Sequence, residues 1–142
     1  MKQLEAKVAM ITGASMGIGR GIAQAFAREG AKLVITARNQ ERLDVTAGEL
    51  RSNGTPVLSV AADVSKEAQV IALFKKTMQE FGRLDILVNN AGIYEEAALE
   101  ETSLETWQRI LDVDLTGPFL CTREAMKIMK PQRAGRIINI GS

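Results

Sequence analysis

Thr12-Gly13-Ala14-Ser15-Met16-Gly17-Ile18-Gly19 follows directly on the short apolar run Val8-Ala9-Met10-Ile11. An apolar strand running straight into spaced glycines and then into a helix is the pattern that decides the fold. Ile18, Ile22 and Phe26 recur every four residues, which gives one apolar face to a helix from about Gly17 to Arg28, stopped by Gly30. In such a unit Gly13 allows the tight turn, Gly17 lets backbone approach a pyrophosphate, and Gly19 lets the helix pack close on the sheet. The free N–H groups and the dipole at the helix start then face the anion.

The same alternation continues outward from this turn. Lys32 to Thr36 reads as a second strand, Gln40 to Ser52 as a helix with Asn53-Gly54 as its exit, and Pro56 to Val60 as a third strand. Ser65 is expected to cap a helix reaching Glu80, with Gly82 after it. Leu84 to Val88 is a fourth strand, Ser103 opens a long helical stretch to about Met129, and Arg136 to Ile140 is a fifth strand. Strands alternating with helices over short connections imply α/β architecture: a doubly wound parallel sheet, Rossmann-like, with strand order 3-2-1-4-5. Residues 1–142 are therefore read as one dinucleotide-binding domain.

Composition narrows the chemistry. The 142 residues carry 18 Lys+Arg against 17 Asp+Glu, a net charge of +1, and no Lys/Arg run, which argues against a nucleic-acid partner bound through phosphates. The longest apolar stretch, Val70 to Phe74, is too short to span a membrane. There is no histidine, so Ser-His and Cys-His dyads and His-ligated metal sites are excluded, and no metal is expected. The single cysteine, Cys121, cannot form an internal disulfide; the expectation is a reducing, cytoplasmic location.

The spacing T-G-x-x-x-G-x-G resembles the short-chain dehydrogenase/reductase family. Four further stretches match that family in order: Asp63-Val64, Asn89-Asn90-Ala91-Gly92, Leu115-Thr116-Gly117, and Ile137-Ile138-Asn139-Ile140-Gly141-Ser142. The resemblance implies an NAD(P)-dependent oxidoreductase that interconverts a carbonyl and a secondary alcohol by hydride transfer. It implies that the turn from Gly13 to Gly19, with Ser15, Met16, Gly17 and Ile18, holds the cofactor diphosphate. Asp63 would contact the adenine amino group with Val64 packed beside it; the alternative for Asp63 is a local helix-capping acid. Asn90, Ala91 and Gly92 would line the ribose side of the cofactor and brace the central strand; the alternative is a simple turn.

The end of the second strand separates NAD from NADP. An acid there would bond the ribose hydroxyls and repel a 2′-phosphate. The chain instead has Thr36-Ala37-Arg38-Asn39, and Arg38 can offer a permanently charged fork to a phosphate. Its alternative is a surface pair with Glu41. Met16 stands where many NADP-using relatives carry a second basic residue. The expectation is NADP(H), with NAD(H) as the second choice.

Of the family's reacting residues, Ser142 matches the Ser that holds the substrate oxygen. The Tyr and Lys of a Tyr-x-x-x-Lys pair would lie downstream of position 142. The only tyrosine, Tyr94, is followed four residues later by Ala98, so it does not fit and is read as lining a cleft or capping a surface. Asp114 occupies the family's Asn position. Helical spacing from Trp107 and Leu111 points it inward, where a carboxylate needs hydrogen bonds. Pro118 has no N–H, so the Asp114 carbonyl loses its helical partner and could bind a relay water; the alternative is a kink alone.

The fifth strand would be an apolar edge, and the chain is read as the amino-terminal part of a reductase, inactive by itself, with the carboxyl-terminal strands and specificity segment missing. Its partners would be a small carbonyl or alcohol substrate and further copies of the chain. Those copies would dock through the long helix, where Leu120, Met126 and Met129 are either interface or core. The other functional class is a non-catalytic dinucleotide-binding or interaction module. The absence of a G-K-[ST] phosphate loop argues against an NTPase.

Overall fold

A computed structural model of the chain describes residues 1–141; Ser142, the expected substrate-binding serine, lies outside the described residues. In chain order the elements are β1 (Val8–Thr12), α1 (Gly17–Arg28), β2 (Lys32–Ala37), α2 (Gln40–Ser52), β3 (Val57–Ala61), α3 (Glu67–Phe81), β4 (Ile86–Asn89), α4 (Leu104–Leu111), a π-helical turn (Asp112–Thr116), α5 (Gly117–Gln132) and β5 (Arg136–Asn139). The strands form one parallel sheet in the order β3-β2-β1-β4-β5. The doubly wound α/β fold expected from the sequence is the fold observed.

The period of two along a strand splits the core into two layers. Val8 and Met10 of β1 face a cluster completed by Val70, Leu73 and Phe74 of α3 and by Leu120, Ala125 and Met129 of α5. Ala9 and Ile11 face the opposite cluster, built with Ala23 of α1 and Leu43, Ala47 and Leu50 of α2. Leu120 and Met129 are thus core residues, whereas Met126 is 40% exposed. Cys121 is fully buried in the first cluster, and burial pushes its thiol up to about 12. A thiolate-selective reagent is expected to leave the native protein unmodified and to label one equivalent after denaturation; labelling of the folded protein at the rate of a free thiol contradicts this burial.

Four local expectations are corrected. Ser65 does not cap α3: the helix begins at Glu67 with Lys66 before it, and the Ser65 hydroxyl donates to Asp63 Oδ1 at 2.7 Å. The Asp63 carboxylate takes that hydroxyl and the Ser65 N–H (3.0 Å), so it closes its own turn two residues ahead of the helix. Ile18 does not join the core; it is 67% exposed in the first turn of α1, where it faces the clefts described below, while Gly19 and Ala23 make the buried face. Strand β3 starts at Val57 rather than Pro56, whose carbonyl nonetheless accepts the Leu33 N–H at 2.9 Å. Strand β4 begins at Ile86, since Leu84 N–H is taken by Gln132 Oε1.

The long helical stretch from Ser103 is continuous but not uniform. Ser103 caps it by accepting the Thr106 N–H at 3.1 Å. At Asp112–Thr116 the ladder widens, and Gly117 N–H donates to the Asp112 carbonyl, five residues back. Pro118 lacks the N–H that a regular α-helix would need at this place, and the extra residue in the turn absorbs the irregularity. The turn also overturns the inward placing of Asp114: it is exposed, and Trp107 is 52% exposed.

Candidate functional site

The sheet order reverses between β1 and β4, and the loops leaving the carboxyl ends of the strands diverge there. That is where open α/β sheets hold ligands. A cleft of about 400 Å³ lies at this point. Its walls are the turn after β1 (Gly13, Ser15, Met16, Ile18), the end of β2 with the start of α2 (Thr36 to Asn39, Arg42), the turn after β3 (Ala62 to Val64), the loop after β4 (Asn90 to Ile93) and Val113. Ten of the residues singled out from sequence therefore share one cleft: Gly13, Ser15, Met16, Ile18, Arg38, Asp63, Val64, Asn90, Ala91 and Gly92. Gly17 and Gly19 are not in its lining: Gly19 is buried behind the turn, and Gly17 is exposed at the start of α1.

The glycine geometry explains the turn. Gly13 has φ +63°, and a Cβ on it would stand 2.9 Å from Ala91 Cα. A Cβ on Gly19 would collide with the Gly13 carbonyl oxygen and come within 2.5 Å of Asn90 Nδ2. Helix α1 thus begins pressed against both the β1 turn and the β4 loop, and an L side chain fits at neither position. Gly17, at φ +57°, has nothing within 4 Å of where a Cβ would lie, so the backbone there is open to an approaching group.

A polar knot that sequence reasoning missed holds the β1 and β4 loops together. Thr12 Oγ1 accepts the N–H groups of Asn90 (3.0 Å) and Ala91 (2.9 Å). Asn90 Nδ2 donates back to the carbonyls of Thr12 (3.1 Å) and Gly13 (3.2 Å). The only signal in the sequence was a threonine at a strand end. Beside it, Asn89 Nδ2 donates to Asn139 Oδ1 (2.9 Å) and to Thr122 Oγ1 (3.2 Å), tying β4 to β5 and α5.

The charges at the far end of the cleft are arranged around Arg38. Among the described residues Arg38 forms no ion pair, so the surface pair with Glu41 is not formed. Arg42, which the sequence reading passed over, lines the same wall. Its backbone N–H is fixed by Asn39 Oδ1 at 3.0 Å, the N-cap of α2. Burial pushes the Asp63 carboxyl up, but the Ser65 hydroxyl and N–H and the charges of Arg38 and Lys66 outweigh it and hold the group below the usual carboxylate range. Asp63 is therefore an ionised acceptor that lines the cleft and closes its own turn. The buried Thr36 hydroxyl, also in the lining, has no hydrogen-bond partner among the described residues.

A second cleft of about 920 Å³ shares Ile18 and Asn90 to Ile93 with the first and continues past Tyr94, Asp114, Thr122 and Asn139 to Gly141. Asp114 belongs here, not to the first cleft. Its Oδ1 accepts the Ile93 N–H at 2.8 Å and so pins the loop after β4. Tyr94 is 84% exposed at the mouth.

These walls suit a phosphate-bearing dinucleotide. An open glycine turn lies at a helix start, two guanidinium groups and an ionised carboxylate line one end, and an orphaned hydroxyl is in the wall. Among the described residues no cluster of three metal-ligating side chains occurs, and no helix is long and apolar enough to cross a membrane. Comparison with known proteins agrees with the architecture. The chain is 44% identical to a 3-oxoacyl-[acyl-carrier-protein] reductase of Synechocystis sp., over 100% of this chain and 58% of the relative. It is 43% identical to an uncharacterized oxidoreductase of Bacillus subtilis, over 96% of this chain and 53% of that protein. It is 40% identical to the (2S)-[(R)-hydroxy(phenyl)methyl]succinyl-CoA dehydrogenase subunit BbsD of Thauera aromatica, over 98% of this chain and 56% of that one. The chain thus spans a little over half the length of these curated relatives. The family model described as short chain dehydrogenase matches residues 7–142, and the chain belongs to that family.

Proposed function

We propose that the first cleft binds NADP(H) in preference to NAD(H), and that the protein is an oxidoreductase interconverting a carbonyl and a secondary alcohol. One observation carries the cofactor reading. Arg38 and Arg42 line the wall at the end of β2, where no acid stands, in the same cleft as the glycine turn. A guanidinium fork matches a 2′-phosphate, whereas NAD recognition calls for a carboxylate at this place. The Gly13–Gly19 turn and the start of α1 would hold the diphosphate. Asp63 would face the adenine, and Asn90 to Gly92 would line the ribose beyond it.

The bound cofactor supplies the hydride chemistry. This chain's residues orient it, and the loop after β4 is held for that task by Thr12 and Asp114. The Asp114 carbonyl, four residues before a proline that offers it no N–H, would hold a relay water, while one side-chain oxygen, Oδ1, holds Ile93. Ser142 would hold the substrate oxygen. Tyr94 is followed by Ala98 rather than a lysine at the fourth position, so Tyr94 is not proposed as the proton donor. The first substrate class to test is a 3-oxoacyl chain, after the name of the Synechocystis relative.

Assembly of several copies is proposed through residues 104–129, where Leu104, Trp107, Leu115 and Phe119 are each more than half exposed. A cytoplasmic setting fits the single buried thiol. The test of the cofactor reading is a fluorescence or calorimetric titration with NADPH and NADH. NADPH is expected to bind at least about tenfold more tightly, the worth of one charge-assisted contact. Equal dissociation constants refute the preference, and no binding of either refutes the site.

A further inference from the structure

The π turn and the start of α5 form a wall that reaches both clefts: Val113 lines the first, Asp114, Leu115 and Pro118 line the second, and Gly117 lies behind the first cleft against Val64. Gly117 is buried, and a Cβ on it would stand 2.7 Å from Val64 Cγ2 and 3.3 Å from Val64 Cβ. Its N–H is held by the Asp112 carbonyl and Pro118 follows it, so the backbone has little freedom to retreat. Val64 is 6% exposed and packs in the core layer that contains Val113 and Leu120, yet it also lines the first cleft beside Asp63.

We infer that Gly117 is a positioning residue for the adenine end of the first cleft, acting through Val64 on Asp63. The inference rests on the dinucleotide reading of that cleft. A methyl group at 117 must displace Val64. The core side is close-packed, so the displacement runs toward the cleft. Asp63 moves with it, because its carboxylate is tied to the Ser65 hydroxyl and N–H and the turn shifts as one unit. The widened ladder at 112–116 sets how near the helix comes to that turn, which gives the irregular turn a task at the site.

The test compares the unaltered protein with Gly117→Ala, Val64→Ala and the double variant. Each is titrated with 5′-AMP, a probe independent of the 2′-phosphate, and each is melted thermally. Gly117→Ala is expected to weaken 5′-AMP about tenfold. The double variant is expected to return to within about threefold of Val64→Ala alone, because the colliding methyl groups are gone. A merely structural glycine would lower the melting temperature without a 5′-AMP loss that Val64→Ala relieves. Unchanged affinity in Gly117→Ala overturns the inference, and so does a double variant no better than Gly117→Ala. If Gly117→Ala does not fold, the double variant decides: folding and binding like Val64→Ala supports the path through Val64, and failure to fold overturns it. If the unaltered protein binds no adenine nucleotide, the dinucleotide reading itself falls and the inference with it.

Discussion

Replacing Arg38 with aspartate is expected to weaken NADPH binding by roughly 100-fold and to leave NADH within about threefold of its starting affinity. Two effects add in the same direction. A charge-assisted hydrogen bond to a phosphate is lost, worth about 1.5–3 kcal/mol. A carboxylate is also brought toward a dianionic group, in the place where an acid selects for ribose hydroxyls. Arg42 remains in the wall, so Arg38→Asp should retain a weak salt-dependent affinity for NADPH, which Arg42→Ala should remove when added. An equal loss for both cofactors would show that Arg38 supports the loop rather than reading the 2′-phosphate.

A loss of about 3 kcal/mol in stability, and about 10 °C in melting temperature, is expected for Asp85→Ala. Asp85 is 6% exposed and sits at the opposite end of the sheet from the clefts. Its Oδ2 accepts the Val8 N–H at 2.9 Å and Arg83 Nε at 2.9 Å, while Oδ1 accepts Arg83 Nη2 at 2.7 Å. Its backbone also links the neighbouring chain segments: Asp85 N–H donates to the Val8 carbonyl, and Arg136 N–H donates to the Asp85 carbonyl. Arg83 is half exposed, so solvent screens its share; most of the loss comes from leaving the Val8 N–H buried without an acceptor. Asp85→Asn keeps an acceptor for Val8 and should lose much less. Chemical denaturation of the two variants separates these contributions, and equal losses would place the stabilisation in the ion pair instead.

The same residue sets a pH dependence. Burial pushes the Asp85 carboxyl up, but the Arg83 fork, the Val8 N–H and the charges of Arg83 and Lys7 outweigh it and hold the group below the usual carboxylate range. The folded protein therefore holds this proton more weakly than the unfolded chain does. The stabilisation is fully present above the ordinary carboxylate pKa and is lost as pH falls through the depressed folded value. Asp63 shifts in the same direction and adds to the effect. Asp85→Asn should flatten this part of the stability curve on the acid side, and an unchanged acid limb would assign it to other carboxylates.

The order of the strands, the two-layer core and the glycine turn were legible because each rests on local rules. Apolar runs between turn residues mark buried strands, and small residues mark a close approach of backbone. Arg38 was legible because it follows a strand end, whereas Asp63 and the Asn90–Gly92 loop were marked by the family resemblance; a parallel sheet brings all its carboxyl ends to one edge. Helical spacing failed at Ile18 and Asp114, and the expected cap failed at Ser65. In each case the residue sits at an element end or at an irregular turn, where the 3.6-residue period no longer dictates direction.

The amino-acid sequence by itself determined that this chain builds a doubly wound sheet with a glycine turn at its switch point. It also determined that these 142 residues hold no histidine and cannot form an internal disulfide. Only the tertiary structure decided that Thr12 knots two loops 78 residues apart, that Arg42 shares a wall with Arg38, that Asp114 serves the loop after β4 rather than the core, and that Gly117 presses on Val64. The physical reason is the same throughout. Propensity and patterning act over one or two turns of chain, whereas a hydrogen bond or steric contact between distant segments is specified only when the packed sheet sets their separation to within a few tenths of an ångström.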